Sequence, residues 1–293
     1  MKERGNPPRL VTEKCVLCGE CVLVCPSFVL DWIGGEVTVA RKDWCIGCNH
    51  CLAVCPTEAL VRDTPVTEGH PIPGPAPAAL PETVELLLRE RRSVRRYKED
   101  PVPPAVLQRV LEAGRYAPTG SNSQNVHYLV LTAPEEIARL RNLTIAFYEK
   151  IFSWARGRLG GLFFSLWAGR RTVAYLRSTL AKVEYADEER KKGKDILFYH
   201  APVIILTHAE AWDSSSSFNC SVAIYHCSLL AHTLGLGCCF NGFLVNAVNH
   251  NKRIKAWLGI PKRHKCFSAM TLGYPKVKYR RLVPRNPLQV KWR

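Results

Sequence analysis

The run Cys15-x2-Cys18-x2-Cys21-x3-Cys25-Pro26 recurs thirty residues further on as Cys45-x2-Cys48-x2-Cys51-x3-Cys55-Pro56, and this duplication claims eight of the thirteen cysteines. Spacing of this kind restricts what the chain can build. Two intervening residues let three thiolates of one loop reach three irons of a single cubane. The fourth, just before proline, lies too far along the chain and serves the other cluster. The pattern predicts two [4Fe–4S] clusters, one held by Cys15, Cys18, Cys21 and Cys55 and the other by Cys45, Cys48, Cys51 and Cys25. A zinc ribbon needs only paired Cys-x2-Cys, with no third cysteine and no Cys-Pro in each copy. Between the copies, Phe28–Ile33 and Glu36–Ala40 read as two short strands around a Gly34-Gly35 hairpin.

These residues resemble a two-cluster bacterial ferredoxin. The resemblance covers a domain at residues 1–63 and implies transfer of single electrons at low potential.

The rest of the composition agrees with redox chemistry. Thirteen cysteines behind a polar opening, MKERGNPPRL, argue for metal or redox roles in a reducing compartment rather than disulfides. No apolar run reaches the roughly 18 residues that a spanning helix requires, so a cytoplasmic location is expected. Residues 1–64 hold 7 Lys+Arg against 8 Asp+Glu, so the net charge of +16 resides in the remainder, with 34 against 17. That charge is scattered, without a basic-aromatic stripe, and predicts no nucleic-acid partner. A phosphate-bearing cofactor or an acidic protein partner uses such a field equally well. No Ser-His-Asp set, HExxH or P-loop is visible, which removes most support for hydrolysis and phosphoryl transfer.

Residues 64–81 form a linker carrying Pro65, Pro71, Pro73, Pro75, Pro77 and Pro81, a composition that favours an extended, semi-rigid spacer. A second domain follows at 82–293. A helix is expected from about Pro81 to Arg91, delivering Arg91-Arg92-Ser93-Val94-Arg95 into a turn. Three arginines and a hydroxyl in five residues suit a phosphate, because the guanidinium fork binds its oxygens bidentately. A helix near Pro103–Arg115 leads into Ala117-Pro118-Thr119-Gly120-Ser121-Asn122-Ser123-Gln124, whose small side chains leave room for a ligand, and then into a strand at His127–Thr132. Further elements are expected at Pro202–Thr207 (strand), Phe218–Leu234 (helix), Asn246–Leu258 (helix) and Cys266–Gly273 (strand).

The runs RRSVRRY and APTGSNSQNVHYLVL, with Leu234-Gly235-Leu236-Gly237-Cys238-Cys239-Phe240-Asn241-Gly242 and the closing Tyr274–Arg281, resemble the nitroreductase family over about residues 82–293. With the N-terminal domain, the resemblance is to ferredoxin-fused nitroreductases of anaerobic microbes. It implies an α+β fold, an intertwined homodimer and an FMN site. Arg91, Arg92, Ser93 and Arg95 would hold the FMN phosphate and ribityl chain, and Lys278 and Arg280 would complete the phosphate clamp. Pro118, Thr119, Gly120, Ser121 and Asn122 would reach the flavin of the other subunit, while Asn241 and Gly242 would lie beside the isoalloxazine. Two positions depart from the family. Asn125 and Val126 replace its usual Pro-Trp, and Asn241 stands where many members carry Glu. Both leave the nicotinamide contact and the usual substrate set open. No GxGxxG offers a Rossmann site.

Residues 144–194 exceed what such a core needs and are dense in aromatics, among them Phe147, Tyr148, Phe152, Trp154, Trp167 and Tyr175. They are expected to form a helical lid that shapes a flat apolar pocket. The apolar run Leu159–Ala168, flanked by Arg156, Arg158, Arg170 and Arg171, makes membrane-surface contact the next reading, and packing at the dimer interface a third. Cys220, Cys227, Cys238 and Cys266 read as small buried hydrophobes, and Cys239 as a neighbour of the flavin. His226 and His232 read as satisfied core or pocket histidines.

The expected activity follows from electron counting. Clusters move one electron at a time, whereas a flavin accepts singly and donates a hydride. An external ferredoxin-type donor would charge the clusters, the clusters would reduce FMN, and FMN would reduce an electron-poor small molecule: a nitroaromatic, quinone or activated alkene. No obligatory catalytic acid or base stands out. The alternatives are a redox sensor or electron-relay module serving a protein partner, and flavin-dependent dehalogenation or oxidation.

Overall fold

A computed structural model describes residues 7–62, 81–156 and 192–293. The linker at 64–80 and the run Leu159–Ala168 lie outside the described residues. The chain divides into two compact units, Met1–Leu80 with Thr119–Gln124, and Pro81–Pro118 with Asn125–Arg293.

The first unit is a duplicated fold. Strands β1 (Arg9–Leu10) and β4 (Leu60–Val61) pair antiparallel, and so do β2 (Leu30–Ile33) and β3 (Glu36–Val39). Gly34 and Gly35 join the second pair with φ of 62° and 83°, the left-handed values that a tight hairpin turn demands at both central positions. Helices α1 (Glu20–Leu23) and α2 (His50–Val54) open at Gly19 and Asn49, both in the left-handed region. Leu30, Val37 and Leu60 pack with the Cys21 and Cys51 side chains into a small core.

In the second unit α3 (Pro81–Glu90) precedes the arginine run and α4 (Pro104–Arg115) follows it. Strands β5 (His127–Leu131), β6 (Val203–Glu210), β7 (Gly237–Phe240) and β8 (His264–Gly273) form an antiparallel sheet in the order β5-β6-β8-β7. Helix α5 (Pro134–Arg156), α6 (Ser216–Thr233), α7 (Gly242–His250) and α8 (Lys252–Trp257) complete the unit. Alternation along the strands sends Leu131, Ile204, Leu206 and Ala269 to one face, against Leu140, Leu244, Val248 and Ile254 of α5, α7 and α8. Tyr128, Val130, Val203, Ile205, Met270 and Leu272 face the other way, against Val110 of α4 and Ile224 and Cys227 of α6.

Two differences from expectation have plain causes. The single helix expected over 246–258 is two. Asn251 adopts an extended conformation (φ −119°, ψ 102°), and its side chain accepts from the Arg253 and Ile254 amides as the cap of α8. Residues 144–156, counted with the insertion, continue α5 without a break. There Tyr148 donates its hydroxyl to Phe243 O at 2.9 Å and accepts from Asn246 Nδ2 at 3.1 Å, tying α5 to α7. Among the described residues no helix is long and apolar enough to cross a membrane.

Candidate functional site

The eight N-terminal cysteines fall into two sets. Cys25, Cys45, Cys48 and Cys51 line one cavity, and Cys15, Cys18, Cys21 and Cys55 line another. Each cavity thus draws three thiols from one loop and the fourth from the other copy. Burial, and then the neighbouring Cys48, push the Cys51 thiol up to about 11, so crowded thiols of this kind ionise only with a cation to hold them. The Val29 and Ala59 amides donate to Cys25 Sγ at 3.3 Å and Cys55 Sγ at 3.2 Å. Such contacts fix the sulfurs from behind.

The second site is built where the arginine run meets the sheet. Ser93 bridges Cys238 in a parallel sense, and the Val94 amide donates to Cys238 O at 2.9 Å, so the run lies alongside β7. Val94 and Tyr97 are buried and hold it there. Arg91 and Arg92 alternate around this anchor: Arg91 lies over the Phe240 ring at 5.9 Å and Arg92 over the Tyr279 ring at 5.7 Å. Nε and Nη1 of Arg91 and Nε of Arg92 are buried without a hydrogen-bond partner. Buried guanidinium nitrogens without partners are costly, and an anion with several oxygens is what satisfies them.

The closing segment returns to the same place. Lys276 N donates to Arg96 O at 2.9 Å and the Tyr279 hydroxyl donates to Ser93 O at 3.3 Å. Lys278 and Arg280 flank Tyr279 and are exposed. Arg91, Arg92, Ser93 and Tyr279 are therefore brought together. Arg95 turns to the Tyr199 ring at 6.0 Å, beside the buried Cys239.

Asn241 is buried and spoken for. Its Nδ2 donates to Leu197 O at 2.7 Å and its Oδ1 accepts from Leu244 N at 2.9 Å as the cap of α7, while its own amide donates to Ala269 O. What it presents is the following residue: Gly242 is the first residue of α7, with open space where a side chain would stand. The amides at a helix start lack partners within the helix and form its positive end. Asn125 is likewise structural. Its Nδ2 donates to Asp213 Oδ2 at 2.8 Å, and its Oδ1 accepts from Asn219 Nδ2 at 3.1 Å. Thr119–Gln124 groups with the first unit, where Asn122 Nδ2 donates to Ile46 O at 3.3 Å. Ser121, Asn122 and Gln124 all have positive φ, which among these three the short Asn side chain tolerates best.

Sequence reasoning missed the loop that supports Asn241. Asp195 is buried and accepts from the amides of Leu197 at 3.0 Å, Phe198 at 2.9 Å and His200 at 3.3 Å. It thereby aims Leu197 O at Asn241 and sets Tyr199 beside Arg95. Only its single carboxylate, two residues before an apolar pair, could have signalled this. Cys220, Cys227, Cys238 and Cys266 are buried, as expected, and Cys239, expected beside the flavin, is buried too. Burial raises Cys238, against the neighbouring Arg91 charge. His226 and His232 are half-buried, and His232 Nε2 lies 3.8 Å from Glu90 Oε2.

The nitroreductase family model matches residues 88–274. The chain belongs to the nitroreductase family. A second model, a 4Fe–4S dicluster domain, matches residues 9–62 and accounts for the N-terminal unit. Among curated proteins, this nitroreductase-family chain is 27% identical to an NADH dehydrogenase of Thermus thermophilus, over 64% of its own length and 83% of the relative's. It is also 27% identical to a 4-nitrobenzoate reductase of a Nocardioides species, over 69% and 85%. Among solved structures, a Bacteroides fragilis nitroreductase with bound FMN superposes with a TM-score of 0.50 at 22% identity, covering 71% of this chain and 97% of that one. The α+β fold of the second unit is thus the family's, with the two-cluster domain joined before it.

Proposed function

We propose that this nitroreductase-family chain is an iron–sulfur flavoprotein oxidoreductase. Low-potential electrons from a ferredoxin-type donor pass through two [4Fe–4S] clusters to FMN and on to an electron-poor small molecule: a nitroaromatic, a quinone or an activated alkene. The observation that carries the reading is the set of partnerless buried nitrogens on Arg91 and Arg92 beside β7. They fit a phosphate, and the Bacteroides relative's bound FMN and the Nocardioides relative's nitro substrate support the rest of the assignment.

When bound, FMN supplies the conversion between single-electron and hydride transfer that the clusters alone lack. The chain's own residues bind and orient. Arg91, Arg92, Ser93 and Arg95, with Lys278 and Arg280, hold the phosphate and ribityl chain. Gly242 offers its amide at the positive end of α7, which favours the negative charge of a reduced flavin. Asn241 fixes that amide in place through its two side-chain bonds. Pro118, Thr119, Gly120, Ser121 and Asn122 approach the flavin of a second copy, so the working unit is a homodimer.

The test is anaerobic purification with iron, sulfide and flavin quantified, then reduction followed optically with ferredoxin and NADH in parallel. Stoichiometric FMN, lost in Arg91→Gln with iron content unchanged, supports the reading. Zinc in place of iron, absence of flavin, or undiminished flavin in Arg91→Gln overturns it.

A further inference from the structure

The halves of the N-terminal unit are copies in backbone but not in charge. Positive φ recurs at Leu17 and Gly47, at Gly19 and Asn49, and at Phe28 and Glu58. Each half also gives one backbone amide to a sulfur at closely similar distance, from Val29 and from Ala59. The side chains break the symmetry. Trp32 and Arg62 occupy the same place in the repeat, as do Glu20 and His50. Trp32 lays its indole on Gly19, where an added Cβ would meet Cζ2 at 3.0 Å. Arg62 instead donates Nη2 to Cys45 Sγ at 3.3 Å, and its Nε is buried without a partner. Arg62 and His50 line the cavity of Cys25, Cys45, Cys48 and Cys51, whereas among the described residues no Lys, Arg or His lines the cavity of Cys15, Cys18, Cys21 and Cys55.

We infer that Arg62 makes the two clusters unequal, the one held by Cys25, Cys45, Cys48 and Cys51 having the higher reduction potential. Reduction adds one electron, and one negative charge, to a cluster. A fixed guanidinium with a charge-assisted N–H···S bond stabilises that form more than the oxidised one. The pairing is partly buried, so water screens it incompletely. Contributions common to both halves cancel through the shared backbone, and what remains favours one cluster. A chain holding one electron therefore keeps it beside Arg62, and electrons entering at the Cys15 cluster run downhill to the Cys45 cluster. This inference rests on the two-cluster reading above, which the iron and sulfide content tests separately before any potential is measured.

The experiment is a dithionite redox titration of the full chain under anoxia, read by electron paramagnetic resonance and visible absorbance. The wild type should show two one-electron waves at least tenfold apart in equilibrium constant, about 59 mV for one electron. In Arg62→Leu the upper wave should fall at least tenfold towards the lower. Arg62→Gln, which keeps an N–H donor but no charge, should fall part of the way and serves if Arg62→Leu does not retain iron. Lys42→Gln removes the same charge from an exposed site of this unit and should leave both waves in place. Unmoved waves in the Arg62 variants overturn the inference. So does a fall of the lower wave, or an equal shift in Lys42→Gln.

Discussion

Tyr97 and Thr271 lie 174 residues apart in sequence and share a buried hydrogen bond of 2.7 Å between their hydroxyl groups. The Tyr97 hydroxyl also donates to Val94 O at 2.7 Å, and Thr271 Oγ1 lies 3.3 Å from Cys239 O. One phenol thus pins the arginine run to β8 and, through Thr271, to β7. Burial, against the opposing pull of the Thr271 hydrogen bond, holds the Tyr97 hydroxyl far above the usual tyrosine range, so it stays protonated as a donor.

Tyr97→Phe should destabilise the chain by about 1 to 2 kcal/mol, because Val94 O loses its donor in a buried place. The change should also loosen Arg91 and Arg92, which flank the pinned segment. Chemical denaturation and flavin retention on gel filtration check the two effects. Loss of stability with full flavin retention would mean that the arginines are positioned independently of Tyr97.

A close approach makes the same segment sensitive from the other side. A Cβ at Gly237 would stand 2.4 Å from Val94 Cγ2 and 2.7 Å from Val94 Cβ, and both residues are buried. Gly237→Ala should cost about 1 to 3 kcal/mol by overpacking. Adding Val94→Ala should recover part of it, because the offending methyls are gone. Melting of the two variants against the wild type measures the coupling, and no recovery in the double variant would place the strain elsewhere.

Much of this organisation was legible beforehand, for physical reasons that differ by element. Cysteine spacing fixes reach, so which cysteines share a cavity was legible from counting. The arginine run and the closing segment could be joined only through the family resemblance, since no local pattern links Ser93 with Tyr279. Strand β6 was readable in type but not in extent. It is buried on both faces, which erases the alternation that marks strand ends, and it runs on through His208 to Glu210. Helix α6, which keeps an exposed face at Ser217, Phe218, Ser221 and Tyr225, ended within two residues of expectation at each end. The break at Asn251 was missed because a cap inside an apolar stretch looks like one polar residue in a continuous helix.

Asn241 should be less tolerant than its neighbours. Asn241→Ala removes the cap of α7, worth about 1 kcal/mol, and strands Leu197 O, for a combined loss of about 2 to 3 kcal/mol. Asn241→Ser keeps a capping oxygen and should recover roughly the capping share. Thermal melts of the three proteins check the order. Equal losses in both variants would show that the Leu197 contact carries the whole effect.

Three histidines gather at one end of the sheet, where His127 pairs with His208 across β5 and β6. His208 Nδ1 lies 3.0 Å from His264 Nδ1, and the His127 ring stacks on that of His208 at 5.3 Å. Lys255 donates to His264 O, and Arg263 and Glu210 pair at 3.3 Å nearby. Two facing Nδ1 atoms at that distance require one donor and one acceptor, so the two rings cannot both be protonated. Burial first, and then the neighbouring His127 and His264, lower His208 from its ordinary 6.5 to about 4. Between these values the unfolded chain binds a proton that the folded chain refuses, so stability falls as pH drops from about 6.5 towards about 4. The loss at pH 5 relative to pH 7 should be on the order of 1 kcal/mol. His208→Gln cannot titrate, and subtracting its urea midpoints from those of the wild type removes acid effects on the clusters and carboxylates. The difference should shrink from pH 7 to pH 5, and a constant difference would show that His208 binds its proton equally in both states.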